Sequence, residues 1–164
     1  IYLREDVGYT AFHTGVYLAA AQVVGIGSQP IMGLLSDRYG RQVVLLPGII
    51  GLAMAVLALS VVPTGIPLLL TVAAMGAFAF PLMAILLAAA GDIAGEQLQA
   101  TSVSLVFGAS MVFGGVSPLI SGFLADAFEV RTTFLFAGGI AALTAIIVAI
   151  QMRSESRQKA GPVG

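Results

Sequence analysis

Gly33-Leu34-Leu35-Ser36-Asp37-Arg38-Tyr39-Gly40-Arg41-Gln42 gathers three charged residues into a short polar island between two long apolar stretches. Before it, residues 7–36 contain His13 but no Asp, Glu, Lys or Arg; after it, residues 42–91 contain no charged residue at all. Two further uncharged intervals follow, residues 97–125 and 132–152. An ionisable side chain at membrane depth costs about 3 kcal/mol, so charges collect in the connections and the gaps between them mark the spans. Composition agrees: 59 % of the 164 residues are hydrophobic and 9 % charged, whereas soluble domains carry roughly 25 % charged residues.

A bilayer crossing takes roughly 20 apolar residues, so three of the four intervals suit single helices. Residues 42–91 are too many for one crossing, and Pro63, Thr64, Gly65 and Pro67 supply a turn near the middle. The expected fold is an all-α membrane protein with helices over residues 11–35, 43–62, 67–90, 98–124 and 132–152. Helices are preferred to strands because the apolar runs show no alternation and a lipid-facing backbone must satisfy its own hydrogen bonds. Residues 1–10 read as the end of an earlier helix and its connection, residues 11–152 as the five-helix bundle, and residues 153–164 as a tail. Because the chain starts at Ile1 with no basic leader pattern, a preceding part of the protein is expected.

Five crossings place the two ends on opposite faces, which makes the distribution of positive charge informative. Arg38, Arg41, Arg153, Arg157 and Lys159 fall on one side, Arg4 and Arg131 on the other. The positive-inside bias then assigns residues 36–42 and the C-terminal tail to the cytoplasm of a cell membrane, the inner one where there are two. The connection at residues 92–96 should share that side, yet it carries no positive charge.

One pattern occurs twice. Ser28-Gln29-Pro30 is followed by Gly33-Leu34-Leu35-Ser36-Asp37 and Arg41; Ser117-Pro118 is followed by Gly122-Phe123-Leu124-Ala125-Asp126 and Arg131. Three crossings separate the copies, so they face opposite sides, as in an inverted repeat of the kind secondary transporters use. Asp37 and Asp126 both end a long helix, where the macrodipole disfavours a carboxylate. A neighbouring arginine or the N-terminus of another helix would compensate, and either ties helix ends together. Gly33 and Gly122 are expected to let helices approach closely there. The plainer alternative is local pairing of Asp37 with Arg41 and of Asp126 with Arg131.

The segment from Gly33 to Gln42 closely resembles the cytoplasmic-loop signature of the major facilitator superfamily. The signature's Gly, Leu, Asp, Arg, Gly and Arg are matched by Gly33, Leu35, Asp37, Arg38, Gly40 and Arg41, and Gln42 replaces its final basic residue. The family carries this loop in both six-helix halves. Residues 67–90 lack the arginine that many first halves have in the corresponding helix, so the chain resembles the second half, from the end of helix seven through helix twelve; its tail also fits the start of the linker that follows a first half. The resemblance implies alternating access by two helix bundles, with Asp37, Arg38 and Arg41 in a charge network that stabilises one state. It also implies a missing six-helix half of the same protein as partner, together with the lipid bilayer and a small-molecule substrate.

On a helical wheel Gln22 and Gln29 share a polar arc of the first helix with Thr14, Gly25 and Ser28. Such an arc faces protein or water, either bonding another helix or contacting a solute. If the resemblance holds, the third helix lines the cavity and offers Thr71, Met75 and Phe78, a wall suited to hydrophobic or amphipathic solutes; in bundles such residues more often simply pack. Pro81 and Pro118 should kink their helices. His13, near the outer end of its helix, reads as an interfacial polar residue before a proton gate.

Other function classes find little support. Formal net charge is −1 with no basic tract, which argues against nucleic acid. There is no Cys, no His pair and no glycine loop with a phosphate-binding Lys, so no enzyme, metal site or cofactor is expected. The remaining alternative to a transporter is a membrane scaffold or receptor-like member of the same fold.

Overall fold

A computed structural model describes residues 8, 10–128 and 130–159. Helix α1 spans Ala11–Tyr39 and α2 Arg41–Leu59. A helical stretch over Ile66–Ala127 is broken at Gly95 (φ 70°, ψ 173°) into two arms, α3 (Ile66–Gly95) and α4 (Gln97–Leu124). Helix α5 covers Val130–Lys159. Among the described residues these five helices are each long and apolar enough to cross a membrane.

Local chemistry sets the ends. Thr10, in extended conformation, caps α1 by accepting from the His13 backbone N–H at 3.3 Å, and its hydroxyl also meets His13 Nδ1 at 2.8 Å. His13 is therefore built into the start of a helix. Gly40 alone separates α1 from α2, with φ 97° and ψ 146°, a backbone region that side chains other than hydrogen disfavour. Sequence reasoning ended the first helix at Leu35; the helix instead carries its polar last turn through to Tyr39. Charges exclude a residue from the apolar core of a bilayer, but they do not stop a helix from continuing past its edge. The same holds at residues 92–96, where only Gly95 leaves helical geometry, and at the tail, where α5 runs on from Met152 to Lys159. Conversely α2 ends three residues short of the expected Val62, in a turn where Ser60 N–H and Oγ both donate to Leu57 O.

Packing alternates direction along the chain. Helix α1 lies parallel to α3: the Tyr17 hydroxyl donates to Gly65 O at 2.8 Å just before α3 begins, and Ser28 Oγ donates to Ala77 O at 2.8 Å further along. Between these points Gly76 of α3 presses on the Ala21 carbonyl of α1, leaving no room for a Cβ. Antiparallel to both, α2 sets Leu59 beside Leu68 near one end, and Leu45 and Ile49 beside Leu82 and Ile85 near the other. Helix α5 covers the far side of α2, with Gly138 against Leu57 and Ala145 in the cluster of Leu45 and Ile49. Its Arg153 end therefore comes to the same end of the bundle as Arg41. Two small cores result, one around Tyr17, Ala21, Leu59, Leu68 and Val72, the other around Leu45, Ile49, Leu82, Ile85 and Ala145. Most other large apolar side chains face outward, and the most apolar part of α4 buries nothing, as suits a surface that meets lipid or further helices.

Tyr17 shows how polar groups are placed in this setting. The residue is 6 % exposed within the first core while its hydroxyl reaches a carbonyl at the end of the α2–α3 turn. Tyr17→Phe is expected to cost about 0.6 kcal/mol, the usual worth of an interhelical hydrogen bond in a bundle. The cost is small because Gly65 O keeps the Leu69 N–H as a second donor. Thermal unfolding of the purified protein in detergent checks this; a loss of several kcal/mol would mean the hydroxyl has a larger role.

Candidate functional site

The polar island folds into a compact clasp. Gly40 turns the chain so that Asp37, on the last turn of α1, and Arg41, the first residue of α2, stand four residues apart and face each other. One Arg41 terminal nitrogen, Nη1, donates to Asp37 Oδ1 at 2.8 Å and to Ser36 Oγ at 3.1 Å. From the same guanidinium Nε donates to Asp92 Oδ2 at 2.9 Å. Asp92 belongs to the end of α3, so a single side chain ties the α1–α2 joint to a third helix.

The electrostatic logic lies in where the charges sit on their helices. A carboxylate at the C-terminal end of α1 and a guanidinium at the N-terminal end of α2 each oppose their own helix dipole. Pairing relieves both. A planar guanidinium offers donors in divergent directions, which lets it serve two carboxylates at once. Burial of the three groups differs: the Arg41 side chain is 29 % exposed, while Asp37 and Asp92 keep 64 % and 58 %. Ser36 beneath them is fully buried. The clasp is thus a polar seam at the rim of the bundle with its hydroxyl floor inside.

Several expected site residues take other positions. Arg38 does not join the clasp; its guanidinium carbon lies 5.6 Å from the centroid of the Tyr39 ring, on the exposed surface. Among the described residues, a Cβ on Gly33 or Gly122 would meet nothing within 4 Å. The close approaches are made by Gly25 and Gly76, between α1 and α3, and by Gly48, Gly51 and Gly138 elsewhere. A glycine in a recurring motif and a glycine at a helix crossing look alike in one dimension. In the second copy of the repeat, the side chains of Asp126 and Arg131 lie outside the described residues.

The candidate cavity residues separate into groups. Thr71 and Phe78 line an open groove of about 400 Å³ between α2 and α3, together with Gly51, Met54, Ala55, Ala58, Leu70 and Ala74. Apart from Thr71, whose hydroxyl donates to Pro67 O at 2.9 Å in its own helix, the groove wall is apolar. Met75 points elsewhere and packs on the core of Tyr17, Ala21 and Val72. Gln22 and Gln29 are exposed on α1, away from the groove. Met83, also on α3, accepts from the Ser110 hydroxyl of α4 at 3.8 Å. Sequence reasoning missed Asp92 and Ser36. One signal for Asp92 was present: an acidic connection without a cation of its own, on the side where Arg41 stands.

A family model described as the Major Facilitator Superfamily matches residues 1–164. The chain is also similar to the "Multi-drug resistance efflux pump PmrA" of two Streptococcus pneumoniae strains, TIGR4 and R6, each 28 % identical over 141 residues. The aligned part is 84 % of this chain and 34 % of each pump, so the chain spans about a third of the length of the curated relatives it matches. With a family match over its whole length and apolar helices that cross in alternating directions, this chain is a multi-pass membrane protein segment that belongs to the Major Facilitator Superfamily.

Proposed function

We propose that the chain is the second-half bundle of a secondary active transporter that exports hydrophobic or amphipathic solutes by alternating access. The observation that carries the reading is the clasp: one arginine holds the ends of three helices together through exposed, individually weak ion pairs. Such contacts suit a joint that must part and re-form during a transport cycle. The solute class is supported by the groove between α2 and α3, which has an apolar wall with one hydroxyl. The direction is supported by the name of the two pumps that the chain resembles.

The clasp end of the bundle is the cytoplasmic end in this reading. Five of the seven Lys and Arg residues fall on that side. Asp92 there is neutralised by Arg41, which supports counting the α3–α4 connection on the positive side although it has no cation of its own. Gly122, Asp126 and Arg131 would then form the counterpart at the outer face.

The test uses the full-length protein in proteoliposomes and a panel of fluorescent hydrophobic dyes of differing charge. Saturable, protein-dependent flux of at least one dye is expected. Ala74→Phe, which places a ring in the groove, should lower that flux about tenfold while the melting temperature stays within a few degrees. If no dye moves faster than in empty vesicles, the export reading fails; if Ala74→Phe transports normally, the groove is not on the solute's path.

A further inference from the structure

Pro81 is fully buried in the middle of α3. Having no N–H, it cannot donate to the carbonyl four residues back, that of Ala77. In a membrane an unanswered carbonyl is costly, and a neighbouring helix or a hydroxyl side chain must supply the donor. Ser28 Oγ of α1 supplies that donor, reaching Ala77 O at 2.8 Å. The same hydroxyl lies 2.9 Å from Gly25 O, one turn back in its own helix. A serine hydroxyl has one hydrogen, so the two carbonyls share it.

The surroundings hold the two helices together at this point. One turn before Ser28, a Cβ built at Gly25 would lie 2.9 Å from Gly76 O and would run into the Phe80 ring. Gly76 in turn presses on the Ala21 carbonyl. Backbones thus meet directly just beside the proline, and Ser28 stands across from the carbonyl that the proline leaves open.

We propose that Ser28 is a positioning residue that closes the backbone gap made by Pro81, and that its shared hydrogen makes the α1–α3 contact a releasable joint. When the helices are together, Ala77 O and Gly25 O share the hydrogen. When they part, it falls back on Gly25 O, so the serine never loses a partner and only one carbonyl is exposed. A hydrogen-bonded pair in which both members were stranded on separation would resist parting more strongly. The joint goes beyond the transport reading, because it rests on helix geometry and is read by stability and hydrogen exchange.

A double-mutant cycle tests it on the full-length protein in detergent. Ser28→Ala should speed amide hydrogen exchange in residues 25–32 and 77–85 by about threefold to tenfold, the range set by one interhelical hydrogen bond, and should lower the melting temperature by a few degrees. Pro81→Ala restores an N–H opposite Ala77 O. In that background Ser28→Ala should change exchange less than twofold, since the carbonyl already has a donor. Equal effects of Ser28→Ala in both backgrounds would overturn the proposal. Should Pro81→Ala fail to fold, Ser28→Thr decides: it keeps the hydroxyl and should exchange like the parent. Loss of protection in Ser28→Thr equal to that in Ser28→Ala, or no loss in either, would likewise overturn it.

Discussion

Exchanging Arg41 for Gln is expected to lower stability by about 1 kcal/mol and to shift the population away from the clasped arrangement roughly fivefold. Asp37 and Asp92 are each more than half exposed, so solvent screening keeps each ion pair in the lower part of the surface range. What makes the effect larger than one pair is that Arg41 serves both carboxylates, and its loss leaves Asp37 at the negative end of its own helix without its ion-pair partner. Arg41→Lys should recover about half, because an ammonium lacks the fork that sends Nε to one acid and a terminal nitrogen to the other. Asp92→Asn should lose part of the Arg41→Gln effect, and the double variant should be no worse than Arg41→Gln alone. Melting temperature and steady-state dye flux at low and high salt read all four; high salt should shrink the differences. Full additivity of Arg41→Gln and Asp92→Asn would mean that the two side chains do not act through each other.

Gly76→Ala is expected to be the most damaging single methyl added to the described helices. A Cβ there falls on the carbonyl, carbonyl carbon and Cα of Ala21, all of them backbone atoms of α1, so no side chain can swing aside. Helices α1 and α3 must then separate. That would loosen Tyr17 from Gly65 O and Ser28 from Ala77 O along with the core between them. Overpacking of this kind costs roughly 1 to 3 kcal/mol, and Gly76→Val should prevent accumulation of folded protein altogether. Two neighbouring glycines on α5 calibrate the result. A methyl on Gly138 meets the Leu57 side chain, which can adjust, whereas one on Gly139 meets nothing within 4 Å. Melting temperatures should therefore fall in the order Gly139→Ala, Gly138→Ala, Gly76→Ala, with the first close to the parent. Equal behaviour of Gly76→Ala and Gly139→Ala would show that the α1–α3 crossing is looser than its geometry implies.

Much of the architecture could be read from the order of residues. Uncharged runs of bilayer length between small groups of charges specify how many helices there are, roughly where each lies and that successive ones reverse direction, because hydration of charge is a local property of each segment. The α2–α3 turn was legible for the same reason: Pro63, Gly65 and Pro67 state their backbone preferences in place. Helix ends were read less well. Tyr39 and Lys159 end their helices well past the last apolar residue, since polar side chains are compatible with a helix outside the bilayer core.

Partnerships across the bundle are another matter. Arg41 could be seen beside Asp37, four residues away, but its bond to Asp92 spans 51 positions and exists only because α2 and α3 run antiparallel with their ends level. Gly33 and Gly76 are both glycines in apolar helices, yet only Gly76 meets a neighbouring backbone, a matter of helix rotation that composition does not encode. Thr71, Met75 and Phe78 follow one another at helical spacing; the angle between α1, α2 and α3 sends the first and last into a groove and the middle one into the core. The chain by itself determines which segments enter the membrane, because that cost is counted residue by residue. Which side chains then meet depends on how the helices cross, and that depends on the close contacts at Gly25, Gly76 and Gly138 taken together.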